Sequence, residues 1–316
     1  MALIGIARLA AESTLLEAKR QVEYREMPAR SILNRTKPGM PFQWTINPYR
    51  GCEFACKYCY ARYTFEFMEL PVEDFEDRIF AKAAPAELLA QELRRIDRRE
   101  QIAIGTATDP YQPAEQRYGR TRAIREVFAR ERGWRVGLVT KSDLITRDIG
   151  LLREVARRNV LSIHMTITTV DEELARLLEP RAPRPALRLE AVRKLAEAGL
   201  AVGVTAKPVL PELTDGDRAL DQLGKAARDA GARSFHGGAV FLTSSALQVF
   251  LPFLEQHFPE LAPWYRRQFA YSPYLGRAYK DDLQARLQKI RERYGLEAGT
   301  LGYKPELWVE EQATLF

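Results

Sequence analysis

Cys52, Cys56 and Cys59 are the only cysteines of the chain. They fall in one run, Asn47-Pro48-Tyr49-Arg50-Gly51-Cys52-Glu53-Phe54-Ala55-Cys56-Lys57-Tyr58-Cys59-Tyr60. Three thiolates packed this closely on a loop flanked by glycine and aromatics suit one metal site better than three separate structural roles. Cysteines serving as small buried hydrophobes would be scattered along the chain. Disulfides fail because the number is odd and the pairs are too near for ordinary bridging. Structural zinc wants four ligands in paired Cys or Cys/His spacings. The three histidines, His164, His236 and His257, lie far along the chain, and there is no second cysteine pair. An iron–sulfur site is the better reading. Four cysteines saturate a cubane, whereas three leave one iron open, and an open metal position is where chemistry can happen.

The surrounding sequence alternates between strand and helix patterns. Short apolar or β-branched runs occur at 101–106, 135–140, 160–168, 200–205 and 234–242, and a first strand is expected at 43–48, directly before the cysteine loop. Between them lie amphipathic helices. Pro85 opens one with Leu89, Leu93 and Ile96 on a face, and Thr121 caps one burying Ile124, Val127 and Phe128. Asp148 and Asp171 read as N-caps, and Gly199 closes the stripe of Leu189, Val192 and Leu195. Strand–helix–strand spacing of this kind predicts an α/β fold of about six parallel β/α units, fewer than a full eight-fold barrel. In parallel barrels the active site forms at the carboxyl ends of strands, and the motifs here follow predicted strands.

Cys-x3-Cys-x2-Cys with Tyr58 before the last cysteine is similar to the signature of the radical S-adenosylmethionine superfamily. Pro48-Tyr49-Arg50-Gly51-Cys52 leading into Tyr58-Cys59-Tyr60-Ala61-Arg62 resembles its spore photoproduct lyase-like branch. So do Thr108-Asp109-Pro110-Tyr111-Gln112-Pro113-Ala114-Glu115, Val139-Thr140-Lys141-Ser142, and Glu179-Pro180-Arg181-Ala182-Pro183 running into Arg188-Leu189-Glu190-Ala191. The matching blocks keep family order over about residues 42–240.

The resemblance implies a partial (β/α)6 TIM-type barrel over residues 41–242. Residues 1–40 would be an extension, an irregular strap over the barrel, and residues 243–316 a helical, aromatic-rich extension. It implies a [4Fe-4S] cluster on Cys52, Cys56 and Cys59 and S-adenosylmethionine on the open iron. It further implies reductive cleavage to a 5′-deoxyadenosyl radical that takes hydrogen from substrate, and an electron donor such as flavodoxin or ferredoxin. Tyr58 would line the adenine pocket. Thr106, Thr108 and Asp109 follow the second strand, where the cofactor's ammonium needs acceptors; the Gly-Gly-Glu common there in the wider superfamily is absent. Lys141 would pair with the cofactor carboxylate, and Thr166 and Thr168 would meet the ribose. Glu179 and Arg188 read as a structural ion pair.

One departure bears on the substrate. Spore photoproduct lyase repairs a thymine dimer and uses a further cysteine as hydrogen-atom donor, whereas here all three cysteines go to the cluster and Gly105-Thr106 stands near the expected place. Thymine-dimer repair is therefore not expected, and a donor role would fall to a tyrosine such as Tyr111, Tyr271 or Tyr274. No cysteines are left for a second cluster, which disfavours sulfur insertion and auxiliary-cluster peptide chemistry.

The chain has 316 residues and a net charge of +6. Its basic clusters, Arg94-Arg95 with Arg98-Arg99 and Arg153 with Arg157-Arg158, fall on Glu-rich amphipathic stretches and read as solvated helix faces. The charge permits a polyanionic partner without requiring one. No apolar run approaches a membrane span, the first residues lack a secretory-signal layout, and free thiols suit a reducing compartment, so a cytoplasmic enzyme with no membrane partner is expected. A nucleic-acid base or nucleotide is the favoured substrate. The alternative is a non-catalytic iron–sulfur or zinc module that binds nucleic acid.

Overall fold

The computed structural model describes residues 5–18, 22–299 and 303–308; the outermost parts of the two expected extensions, residues 1–4 and 309–316, lie outside these. In chain order the strands are β1 (Thr14–Ala18), β2 (Glu23–Met27), β3 (Leu33–Arg35), β4 (Trp44–Ile46), β5 (Tyr49–Arg50), β6 (Arg78–Lys82), β7 (Gln101–Ile104), β8 (Arg135–Thr140), β9 (Val160–Thr166), β10 (Val202–Val209) and β11 (Ser234–Ala239). Six of them, β4 and β7 to β11, run parallel in sequence order, and β3 adds antiparallel to the β4 edge. Since β3 and β11 are the two ends of this sheet, the barrel is partial, as expected.

Period-two alternation sets what each strand shows to either face. Leu161, Ile163 and Met165 of β9, Val202, Val204 and Ala206 of β10, and Phe235 of β11 are buried in one apolar core with Ile124, Phe128, Leu152, Val192 and Leu195 of the outer helices. Alternate residues therefore face the barrel interior. They include Ser162, His164 and Thr166 on β9, Thr205 and Lys207 on β10, and Ser234 and His236 on β11.

The helix caps divide. Asp171 caps Glu172–Leu178 by accepting from the Glu173 and Leu174 amides, and Gly199 follows Pro185–Glu197 at φ +78°. Thr121 does not cap Arg120–Arg130; its hydroxyl bonds the Pro110 carbonyl, and the N-cap is Gly119. Asp148 holds the N-cap position of Ile149–Arg158, but its carboxylate is taken by Arg122, Arg125 and Arg147.

The N-terminal segment is not an irregular strap. Gly5–Ala11 is helical, β1 and β2 form an antiparallel pair, and β2 continues through β6 to β5 as a second, four-stranded sheet. These strands are short and β2 pairs with a segment far along the chain, so no local window of sequence displays the partnership. The sheet matters to the site because β5 leads straight into Cys52.

Beyond the barrel, Ser244–His257 and Ala262–Gln268 bury Phe250, Phe253, Leu254 and Tyr265 in a second core shared with Phe54, Tyr58, Ala61 and Phe65 of the cysteine region. The last helix, Arg277–Tyr294, buries Leu283, Leu287 and Ile290 against the barrel core. Among the described residues no helix is long and apolar enough to cross a membrane.

Candidate active site

The cysteine loop is held by its backbone. β5 pairs with β6, and the Cys52 amide donates to the Phe75 carbonyl at 2.9 Å. Gly51 between them has φ +77°, and a Cβ there would stand 2.5 Å from the Arg78 carbonyl oxygen, so only glycine lets the loop leave the sheet at this point. Further on, the Lys57 amide donates to Leu178 O at 2.9 Å. The buried Glu53 carboxylate accepts from Tyr24 Oη at 2.7 Å and from the Ala114 amide at 2.8 Å.

The block from Thr108 to Glu115 is the loop's second support. Gln112, fully buried, accepts from the Glu53 amide at 3.0 Å and donates to Gly51 O at 3.1 Å and Thr108 Oγ1 at 2.8 Å. Thr108 itself donates to Gly51 O at 2.7 Å. Asp109 accepts from Thr140 Oγ1 at 2.6 Å, the Lys141 amide at 2.7 Å and the Tyr111 amide at 2.9 Å, joining the end of β8 to the loop after β7. Glu115 accepts from Tyr49 Oη at 2.6 Å and from the Thr121 and Arg122 amides. Thr108 and Asp109 do lie at the cysteine loop, yet their polar atoms are already engaged in building it. Thr106 bonds the Asn47 side chain, whose oxygen also takes the Ala107 amide at 2.7 Å.

On the other flank, Tyr58 donates to Glu179, which also accepts from Thr168 Oγ1 at 3.2 Å. Arg188 lies 2.5 Å from the same buried carboxylate, so the expected ion pair is present. Lys141 completes the group, with Nζ 3.9 Å from Glu179 and 5.6 Å from the Tyr58 ring centroid. Burial pushes the Glu179 carboxyl up, but Arg188 and Lys141 outweigh it and hold it below its ordinary value. Thr166 is buried beside this group, its carbonyl accepting from Arg188 at 3.1 Å.

The three thiols are unpaired, two buried and Cys59 partly so. Burial pushes all three up, Cys56 to about 12, so in the bare protein they would stay protonated. A soft cationic centre offsets that penalty, and three thiols on one pinned loop leave one ligand position for a molecule other than protein. Among the described residues no three His, Cys, Asp or Glu side chains close tightly enough for a single metal ion. A cubane spreads its thiolates more widely than one ion does, and the donor set fits the cluster.

The tyrosines expected as hydrogen donors are dispersed. Tyr111 is fully buried in the main apolar core, with the Arg125 guanidinium 4.8 Å over its ring. Tyr271 is fully exposed. Tyr274, half exposed, stacks on Phe241 at 4.8 Å, and Phe241 meets Tyr60 at 5.7 Å, the residue after Cys59. Tyr63 and the exposed Phe67 extend this strip. Tyr265 and Phe269 cap the second core, while Tyr303 bonds the Leu161 amide at the amino end of β9.

Sequence reasoning missed Glu53, Gln112 and Glu115 as supports of the loop, and it missed the inward-facing His164, Lys207 and His236. The latter carried a signal, a polar residue at every second position of otherwise apolar parallel strands.

Residues 46–223 match the family model of the Radical SAM superfamily. An uncharacterized protein of Mycobacterium tuberculosis is 36% identical over 302 residues, covering 93% of this chain and 88% of that one. An uncharacterized protein of Methanocaldococcus jannaschii is 26% identical over 256 residues, covering 81% of this chain and 91% of that one. Among solved structures, spore photoproduct lyase complexed with dinucleoside spore photoproduct superposes with a TM-score of 0.64 at 17% identity, covering 93% of this chain and 84% of that one. A mutant of that lyase with bound AdoMet and dinucleoside spore photoproduct gives 0.62 at 16% identity, with the same coverage. At these identities the likeness is one of fold. The family match and the cysteine loop together place this chain in the radical S-adenosylmethionine superfamily, and it is a radical S-adenosylmethionine enzyme.

Proposed function

We propose that the enzyme acts on a nucleobase or nucleotide. The observation that carries this reading is the aromatic strip of Tyr60, Phe241 and Tyr274, which begins one residue after Cys59 and offers π-faces to a planar ring. The fold it shares with a lyase whose structure holds a dinucleoside supports the same direction. When bound, the reduced cluster and S-adenosylmethionine supply a radical that takes a hydrogen atom from substrate. Cys52, Cys56 and Cys59 would hold the cluster. Tyr58, Lys141, Thr166 and Thr168, gathered around Glu179 or close beside it, would contact S-adenosylmethionine, with Lys141 supplying a cation for its carboxylate. Thr106 faces the same loop. Thr108 and Asp109 would act by fixing the loop's shape. Electrons would come from a flavodoxin- or ferredoxin-type donor.

The test is anaerobic reconstitution with iron and sulfide, then dithionite and S-adenosylmethionine, assaying 5′-deoxyadenosine with nucleotides, oligonucleotides or peptides present. We expect product from the wild type and none from Cys56→Ala, with stimulation by nucleotides or oligonucleotides alone. Stimulation by peptides instead would overturn the substrate class. Bound zinc with no S-adenosylmethionine binding would favour the non-catalytic module.

A further inference from the structure

The inner wall of the barrel over β9, β10 and β11 carries a basic, polar patch that the cysteine site does not use. His164 and His236 meet ring to ring at 5.1 Å and 82°. They do so across β10, where Gly203 is in register with His164 and Thr205 with His236. A Cβ at Gly203 would stand 2.1 Å from Ser234 Oγ. Thr205 lies level with His236 on one side and Thr166 on the other. Lys207 is the next inward residue of β10, and its aliphatic chain lies over Gly238, where a Cβ would come within 3.1 Å of Cε. Gly203 thus leaves room for the Ser234 side chain and Gly238 for the Lys207 chain.

These groups are unsatisfied. Nδ1 of His164, Nδ1 of His236 and Oγ1 of Thr205 are buried with no hydrogen-bond partner, and Thr205 is only 2% exposed. Lys207 beside them is exposed and makes no ion pair among the described residues. Buried polar groups are normally paired, and leaving several unpaired in one place is costly. Burial, then Lys207, holds His164 near 4, and burial, His164, Lys207 and Arg291 hold His236 near 3, so both rings are neutral at physiological pH. Each neutral ring offers one N–H donor. A metal does not suit the place. No third metal-ligating side chain joins the two histidines among the described residues, and the Lys207 ammonium repels a cation. What matches two imidazole donors, a hydroxyl and an uncompensated ammonium is an acceptor-rich anion.

We propose that His164, Thr205, Lys207 and His236 bind the anionic group, phosphate or carboxylate, of the enzyme's substrate. Thr166, the next inward residue after His164, leads from this patch toward the Thr168–Glu179–Tyr58 bonds at the cysteine loop. A substrate anchored here would extend along the wall toward the cofactor. A phosphate on a nucleotide follows from the proposed function; the anion site itself stands on its own geometry.

The test is anaerobic calorimetry on the reconstituted enzyme with S-adenosylmethionine, using inorganic phosphate, succinate, thymidine 5′-monophosphate and thymidine as probes. The proteins are the wild type, Lys207→Met, His236→Gln and, as a surface control, Lys289→Met. Lys207 is exposed, and Met offers a chain of similar length without the charge, so Lys207→Met should melt close to the wild-type temperature with unchanged iron content. We expect thymidine 5′-monophosphate to bind about 10- to 100-fold more tightly than thymidine, the range one or two charge-assisted bonds supply. That advantage should vanish in Lys207→Met, shrink in His236→Gln and persist in Lys289→Met. Succinate binding more tightly than either phosphate probe, with the same dependence on Lys207, would identify a carboxylate substrate. Inorganic phosphate binding through Lys207 with no gain from the nucleoside would keep the anion site and sink the nucleotide reading. Equal binding of thymidine and its monophosphate, unaltered in Lys207→Met, would overturn the anion site and leave the base reading intact. No binding of any anion to the loaded enzyme would overturn it as well.

Discussion

Tyr58 and Glu179, 121 residues apart in the chain, share a buried hydrogen bond in which the phenol between the second and third cysteines donates to the carboxylate. Through it the cysteine loop is fastened to the carboxyl end of the helix Glu172–Leu178, and the charge on Glu179 is balanced by Arg188 and Lys141.

Replacing Glu179 by Gln keeps an acceptor for Tyr58 and removes the charge that Arg188 needs. Breaking a buried pair from one side costs about 3–5 kcal/mol. A double variant, Glu179→Gln with Arg188→Met, should recover part of that loss, read by urea unfolding of all four proteins in the cycle. The carboxyl is held below its ordinary 4.5, so its share of stability is present above that pH and is lost as pH falls through the lower folded value.

Gly51→Ala places a Cβ against the Arg78 carbonyl and forces an unfavourable φ on a residue with a side chain. Strain of this kind costs about 1–3 kcal/mol before the clash is added. Iron bound per chain after reconstitution should fall sharply. Gly119→Ala, also at positive φ but with nothing within 4 Å of the new Cβ, should bind iron as the wild type does. Equal iron in both variants would show that the close approach is unimportant.

Gln112→Leu strips partners from the Glu53 amide, the Gly51 carbonyl and Thr108 in one substitution. Removing the acceptor of a buried amide costs about 1–3 kcal/mol, while Gly51 O and Thr108 Oγ1 keep the bond between them. The variant should unfold at lower urea and lose its cluster to a chelator faster. Gln112→Glu, which cannot donate as the amide does, should be impaired too, so a normal chelation rate in both would refute this role.

The two inward histidines predict a pH dependence of stability. Both have folded pKa values, about 4 and about 3, below the unfolded value of 6.5, so their contribution is complete above pH 6.5 and is lost as pH falls toward the folded values. At pH 5 each opposes folding by up to about 2 kcal/mol relative to pH 7. Urea midpoints of the wild type and of a His164→Gln, His236→Gln double variant should differ in their drop between these pH values, the double variant falling less.

The barrel was legible because each parallel strand is a short apolar run and each helix carries its own periodic stripe; the expected runs at 135–140 and 160–168 became Arg135–Thr140 and Val160–Thr166. The cysteines were legible because three ligands sit on one loop. What stayed hidden depends on partners distant in sequence. β2 finds β6, Gln112 finds Gly51, and Asp148 finds arginines from the preceding helix instead of its own amides. Thr108 and Asp109 were expected after the second strand as acceptors for the cofactor's ammonium, and nothing local shows that their oxygens are engaged with Gly51 and Thr140. Tyr111 reads like any tyrosine near a motif until the helix above it is seen to bury it.

The amide of Lys57, between two of the cysteines, bonds the Leu178 carbonyl, and the Phe54 carbonyl takes the Arg181 amide. A chain emerging from the ribosome presents its thiols long before residues 178–181 exist to hold them. Until then the loop has at most its contacts to the second sheet and to the Thr108–Glu115 block, and the cysteines are open to oxidation and to stray metals. Maturation of this enzyme therefore has an order, in which the fourth strand of the barrel and the helix after it must be in place before the iron–sulfur centre has a finished seat.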